Sequence, residues 1–148
     1  MGKLSRKIGT FVCLPRSTKR LFAEALITSA WVKMCLWFFP FKRVLGWMGA
    51  PHIDSEHTPD ELSLTARRNI KAALRLCNKY ALWPTECYTL ALTGKLLLKR
   101  RHISSTLYIG FVKDQQGKFK GHAWLRARDT YISGFRESAG FRVNLIFT

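Results

Sequence analysis

The hydrophobic period of this chain changes once, near residue 102, and that change limits the fold more than any single motif. Upstream, apolar residues recur at helical spacing. Leu62, Ala66, Ile70, Ala73, Leu74, Cys77, Tyr80 and Leu82 form one such face, with Arg67, Arg68, Lys71, Arg75 and Lys79 largely elsewhere. Thr58, Pro59 and Glu61 stand in the order of an N-cap, a first-turn proline and a capping-box acid, and predict that helix's start. A second helix follows Trp83 and Pro84, from Thr85 or Glu86 to about Arg101, with Cys87, Leu90, Ala91, Gly94 and Leu98 on one face. Downstream the period is that of strands: ISSTLYIGFV, FKGHAWLRA, TYISGF and FRVNLIF. KDQQGK connects the first two and a tight turn at Arg128 and Asp129 the next. These short connections predict an antiparallel meander packed on one face by the helix that carries Cys87. The expected fold class is α+β, helices first and sheet second.

The length of 148 residues suits one domain, with residues 1–82 as a mainly helical portion and 83–148 as the core. Although the net charge is +16, 47% of the residues are hydrophobic, which excludes a solvated, disordered chain. The charge admits nucleic acid, an anionic membrane surface or an acidic protein partner. No zinc finger, RNP segment or basic recognition helix supports the first, so no nucleic-acid partner is assigned. Only the first twenty residues, with Lys3, Arg6, Lys7, Arg16, Lys19 and Arg20 and no acid, are locally one-sided.

Leu21 to Phe41 form an apolar run long enough to raise the question of a membrane span. Glu24 and Lys33 interrupt it and Pro40 breaks its end, so a through-going span is disfavoured. The run reads either as a long core helix or as an interfacial helix. For the second, Trp31, Trp37, Phe38 and Phe39 stand beside Lys42 and Arg43. After Pro40 a short basic amphipathic segment, FKRVLGWMG, ends near Gly49, and PHIDSEHTPD follows as a polar connector.

Cys13, Cys35, Cys77 and Cys87 lack CxxC pairing and metal-ligand spacing, which suits reduced thiols in a cytoplasmic protein. No glycine-rich phosphate loop is visible, and no cofactor or metal is assigned. Cys87 alone falls in the first turn of a predicted helix, where unpaired amides and the positive end of the helix dipole favour a thiolate. A thiolate nucleophile needs an imidazole partner. His122 is the best placed, on a strand that holds its side chain in a defined direction. His102 follows a basic run at a helix end, and His52 and His57 lie in the polar connector. Cys77 reads as a buried thiol.

The ordered segment CYTLALTGKLLLKRRHISSTLYIGFVKDQQGKFKGHAWLRARDTYISG resembles the core of the lasso-peptide leader peptidases, or lasso peptide biosynthesis B2 proteins, which are similar to transglutaminase-like cysteine proteases. The likeness extends over residues 83–148, and LPRSTKRLFAEAL and FPFKRVLGWMG resemble the family's helical N-terminal portion. The resemblance implies Cys87 as nucleophile and His122 as base of a cysteine endopeptidase, which hydrolyses one bond at the leader–core junction of a ribosomally made precursor. Its implied partners are the precursor's leader peptide, a separate PqqD-like leader-recognition protein and an ATP-using lasso cyclase. The separate recognition protein is expected because the N-terminal residues already belong to the helical portion. Peripheral contact with the inner face of the cell membrane is a further expectation. A noncatalytic scaffold that keeps the peptidase fold is the alternative.

Family members with a complete triad carry an aspartate about twelve residues beyond the histidine, where this chain has Gly134. Asp129 falls at the predicted turn, about 20 Å from His122 along the strand, and is not assigned. Glu137, a backbone carbonyl or a side chain of the helical portion remain as orienters. Trp124, two residues beyond His122, shares its face. Glu86 adjoins Cys87 and reads as an outward-pointing first-turn acid, unfavourable to a thiolate if close.

Overall fold

A computed structural model describes residues 15–148. Cys13, Lys3, Arg6 and Lys7 lie outside these residues. Helix α1, Arg16–Phe38, ends where Pro40 holds Phe39 extended, and a short α2, Phe41–Gly46, starts directly after that proline. Helix α3, Glu61–Tyr80, and α4, Cys87–Lys99, complete the helical part. Four strands follow: β1 Ser105–Lys113, β2 Phe119–Ala127, β3 Thr130–Ser133 and β4 Arg142–Phe147. The α+β architecture, helices followed by a helix–sheet core, is as expected.

The meander is not. All pairings are antiparallel, but the strand order is β3-β2-β1-β4. β3 has only four residues and ends at Gly134, whose φ of +73° turns the chain off the sheet. A 3-10 turn at Arg136–Ser138 and Phe141 then bring the chain to the far edge, where β4 pairs with β1. The connector is also more than polar linker. Ala50 and His52 donate backbone hydrogen bonds to Thr148 and Ile146 beside β4, and Asp54 and Ser55 cover the sheet near Arg126.

α4 lies between the sheet and helices α1 and α3, which explains burial around most of its circumference. A Cβ at Gly94 would stand 2.7 Å from a methyl of Leu125 and 2.9 Å from one of Leu74, so glycine lets the helix approach β2 there without displacing either side chain. The core joins Leu92, Leu97 and Leu98 of α4 to Leu107 and Ile109 of β1 and Ala123 and Leu125 of β2.

The start of α3 lies two residues beyond the expected Thr58 cap. Asp60 is the N-cap, and its carboxylate accepts from the Leu62 amide at 3.1 Å. Its apolar face also differs. Leu62 and Leu82 are 98% and 97% exposed, whereas Arg67 is 1% exposed. Arg67 shares the stripe of Ile70, Leu74 and Cys77; Leu62 stands well off it and Leu82 follows the helix end. All three guanidinium nitrogens are engaged. It donates to Ser63 Oγ, the Ala127 and Asp60 carbonyls, Thr130 Oγ1 and, at 2.5 Å, Asp129. Asp129 therefore ties the β2–β3 turn to α3, with its carboxyl held below the usual range chiefly by Arg67.

Candidate active site

Cys87 lies in the first turn of α4 as expected, but as its first residue, since the helix starts one to two residues later than Thr85 or Glu86; it is half-buried with a free thiol. Glu86 is the N-cap residue, outside the first turn, and makes no side-chain cap. Lys33 of α1 reaches it instead, with Nζ 2.5 Å and 2.7 Å from the two carboxylate oxygens, and Thr89 donates to the same group. Burial works against the Glu86 charge, but these bonds outweigh it and its carboxyl titrates below the usual range. The negative charge beside Cys87 is thus compensated by a cation from another helix.

The other described cysteines are unsuited to nucleophilic work. Burial pushes the Cys35 thiol up. Burial also raises Cys77, whose Sγ donates to Ser29 Oγ at 3.2 Å and leaves no exposed surface. Among the remaining histidines, His57 pairs with Asp54 at 3.0 Å on an exposed surface, and His52 and His102 occupy turns with positive φ.

His122 is 8% exposed on β2. Its ring stacks on Trp124 at 5.9 Å and meets Phe141 at 5.2 Å, so Trp124 does share its face as the two-residue spacing predicts. Nε2 lies 2.7 Å from the Gly134 carbonyl oxygen. A carbonyl only accepts, so Nε2 must carry a proton, and in the neutral imidazole the lone pair is then on Nδ1. The residue that stands in place of the family's aspartate therefore holds the imidazole by its backbone. This selects the carbonyl among the three orienters left open by the sequence. A side chain could not take its place: a Cβ on Gly134 would fall 2.4 Å from the Ala123 carbonyl oxygen.

Strand alternation decides how Cys87 and His122 are related. Leu125 points toward α4, and a Cβ at Gly121 would meet the Tyr88 hydroxyl at 2.2 Å, so the odd positions of β2 face the helix. His122 and Trp124 face the other way. Among the described residues no hydrogen bond joins Cys87 to His122. What they share is an edge: β3 pairs only with residues 125–127 of β2, and residues 119–123 of β2 are left without a partner on that side. The first turn of α4 packs against this stretch through Tyr88, and His122 belongs to it.

Two hollows flank the place. One, about 510 Å³, is bounded by Lys71, Arg75, Asn78, Tyr131, Gly134 and Phe135. Another, about 350 Å³, is lined by Leu36, Phe41, Glu86, Tyr88 and Phe111. Sequence reasoning missed two polar groups nearby in the chain: the indole N–H of Trp83 and the hydroxyl of Ser133, buried with no hydrogen-bond partner among the described residues. Trp83 precedes Cys87 by four residues and Ser133 precedes Gly134, but neither side chain announces itself by type or spacing. No cluster of His, Cys, Asp and Glu able to hold a metal occurs among the described residues.

A family description, the transglutaminase-like superfamily, matches residues 35–145. No curated protein and no solved structure matches the chain. The match spans α2 to β4 together with the end of α1, so it includes Cys87, His122 and Gly134. A helix that opens on cysteine, laid on an antiparallel sheet whose second strand carries the histidine, belongs with that match, and on it the chain is a member of the transglutaminase-like superfamily.

Proposed function

We propose that the protein is a cysteine peptidase that removes the leader from a ribosomally made lasso-peptide precursor, with Cys87 as nucleophile and His122 as base. The observation that carries this reading is the hydrogen bond from His122 Nε2 to the Gly134 carbonyl, which leaves Nδ1 as a fixed proton acceptor in a family whose chemistry needs one. Nδ1 takes the Cys87 proton and the thiolate attacks the carbonyl of the last leader residue. The tetrahedral adduct collapses as His122 returns its proton to the departing amine, which becomes the new N-terminus of the core. Water, deprotonated by the same imidazole, then frees the leader from sulfur. A separate leader-recognition protein delivers the precursor and a cyclase takes the product.

His122 faces away from α4, so this chemistry requires a rearrangement at the unpaired edge of β2 that brings its ring and the Cys87 thiol together. A second reading rests on the same observation. If that rearrangement never takes place, the chain is a noncatalytic scaffold with a peptidase fold. Mass spectrometry of a cognate precursor, incubated with this protein and the leader-recognition partner, separates the two. The peptidase yields free leader and core, and Cys87→Ala and His122→Ala each remove the products while circular dichroism stays unchanged. Intact precursor from the wild-type mixture, with the precursor bound, establishes the scaffold.

A further inference from the structure

One side of α1 is packed and the other is bare. Phe22, Ala25, Ser29, Val32 and Cys35 are buried against α3 and α4. Ile27, Trp31, Met34 and Phe38, spaced by four, three and four residues, form a helical stripe on the opposite side, with Trp37 beside it. Trp37 and Phe38 are 72% and 75% exposed. Trp47 and Phe39, in edge-to-face contact at 5.3 Å, extend the patch past the end of the helix. Burial of so large a contiguous apolar surface is what a soluble protein normally arranges, and an exposed one marks an interaction face.

The charges around this face select its occupant. Arg16 and Arg20 are exposed at one end of α1, and Lys42 and Arg43 on α2 at the other. The sole acid of α1, Glu24, is turned to Arg100 and Arg101, with contacts of 3.2 Å and 2.7 Å. A second copy of a chain with net charge +16 would be repelled by this rim, whereas an anionic surface is attracted to it. Tryptophan and phenylalanine among lysine and arginine are the side chains that settle at the boundary between headgroups and acyl chains. By length and composition α1 could cross a membrane, but its inner face is committed to the protein core.

We propose that the outer face of α1 and α2 docks the protein on an anionic lipid bilayer, with α1 lying in the plane of the interface. The active-site assignment is independent of this. The test is cosedimentation of the full chain with vesicles of phosphatidylcholine alone and of phosphatidylcholine with phosphatidylglycerol in equal parts. Wild-type protein is expected to partition onto the second and far less onto the first. Lys42→Gln with Arg43→Gln should weaken partitioning by about twenty-fivefold, taking about fivefold per basic residue. Trp31→Ser, Trp37→Ser and Phe38→Ser together should also weaken it, since these side chains are exposed and their loss leaves the core intact.

Three results would overturn the proposal. The first is wild-type protein in the supernatant with both vesicles. The second is an aromatic triple variant that binds as well as wild type, which reduces the effect to charge alone. The third is a wild-type dimer in light scattering that the triple variant converts to monomer, which gives the face to a second copy.

Discussion

Gly134→Ala tests the assignment of the His122 orienter at a single methyl group. The residue has φ of +73°, and an L side chain in the left-handed region costs about 1–2 kcal/mol. The new Cβ would lie 2.4 Å from the Ala123 carbonyl oxygen and 3.1 Å from Trp124 Cα, both backbone atoms that cannot rotate away. A carbon meets a carbonyl oxygen at roughly 3.3 Å or more, so the chain at residue 134 must retreat by roughly 0.9 Å. A shift of that size takes the 2.7 Å bond to His122 out of hydrogen-bonding range. Leaving a buried imidazole N–H unpaired costs a further 1–3 kcal/mol or so, about 2–5 kcal/mol in all. Gly117→Ala is the control, because Gly117 has φ of +77° with open space around it and bears only the conformational part. Urea unfolding should therefore show Gly134→Ala about 1–3 kcal/mol less stable than Gly117→Ala. Nitrogen-15 spectra of the His122 ring should show the proton fixed on Nε2 in wild type and a tautomer mixture in the variant. Gly134→Asp, which restores the family's residue type, should fail in the same way. Equal stability of the two alanine variants, with an unchanged ring spectrum, would refute the reasoning.

Asp54 loses some stabilisation through burial, but hydrogen bonds from His57, Thr106, Tyr108 and Arg126 outweigh this and hold its carboxyl well below the carboxylate range. A depressed carboxylate stabilises the fold above its unfolded pKa and ceases to do so as pH falls through the folded value. The urea midpoint should therefore drop as pH goes below about 4, and Asp54→Asn should flatten part of that slope. Burial of Lys95, whose Nζ donates to the Ser105 carbonyl, brings its pKa down to about 8. Between that value and about 10.4 the unfolded chain holds a proton that the folded one has lost, so this group makes stability rise with pH there, and Lys95→Met should abolish the rise. Lys33→Gln leaves the Glu86 carboxylate uncompensated beside Cys87. Alkylation of Cys87 by iodoacetamide, followed by peptide mass spectrometry, should slow by roughly two- to fivefold, the scale of a charge at a helix start.

Much of the architecture was legible because it depends on local signals. The WPTE break put Cys87 in the first turn of α4, within two residues of the observed start, the Pro40 stop ended α1, and alternation around GHAW gave β2 and the common face of His122 and Trp124. What was not legible depends on partners distant in sequence. The addition of β4 to β1 in place of β3 follows from the shortness of β3 and the turn at Gly134, neither of which periodicity reports. Arg67 was misread because residue type was weighed over phase. Its spacing from Ile70, Leu74 and Cys77 placed it on the buried face, and the groups that satisfy it, from Asp60 to Thr130, come from three separate segments. Lys33 and Glu86 meet from 53 residues apart, so the compensation of the Glu86 charge had no local sign.

The Gly134 carbonyl does one part of an aspartate's work fully and another only partly. Fixing the Nε2–H tautomer and the ring direction needs an acceptor in the right place, and a carbonyl oxygen at 2.7 Å supplies it. Stabilising the imidazolium that forms as the thiol ionises calls for negative charge, and a carbonyl offers only the end of a dipole. In the proposed mechanism the ion pair would then draw more on the thiolate side. Two features lie on that side: Cys87 stands at N1 of a 13-residue helix, and the adjoining Glu86 carboxylate is paired with Lys33. Neutral orienter and compensated Glu86 thus belong to one arrangement. Placing a carboxylate near Cys87 without Lys33 removes support from the half of the pair that the carbonyl cannot strengthen. Lys33→Gln should accordingly slow precursor cleavage at least as much as it slows alkylation, since cleavage needs both ions and alkylation only the thiolate; a variant slowed in alkylation yet cleaving at the wild-type rate would contradict this division of labour.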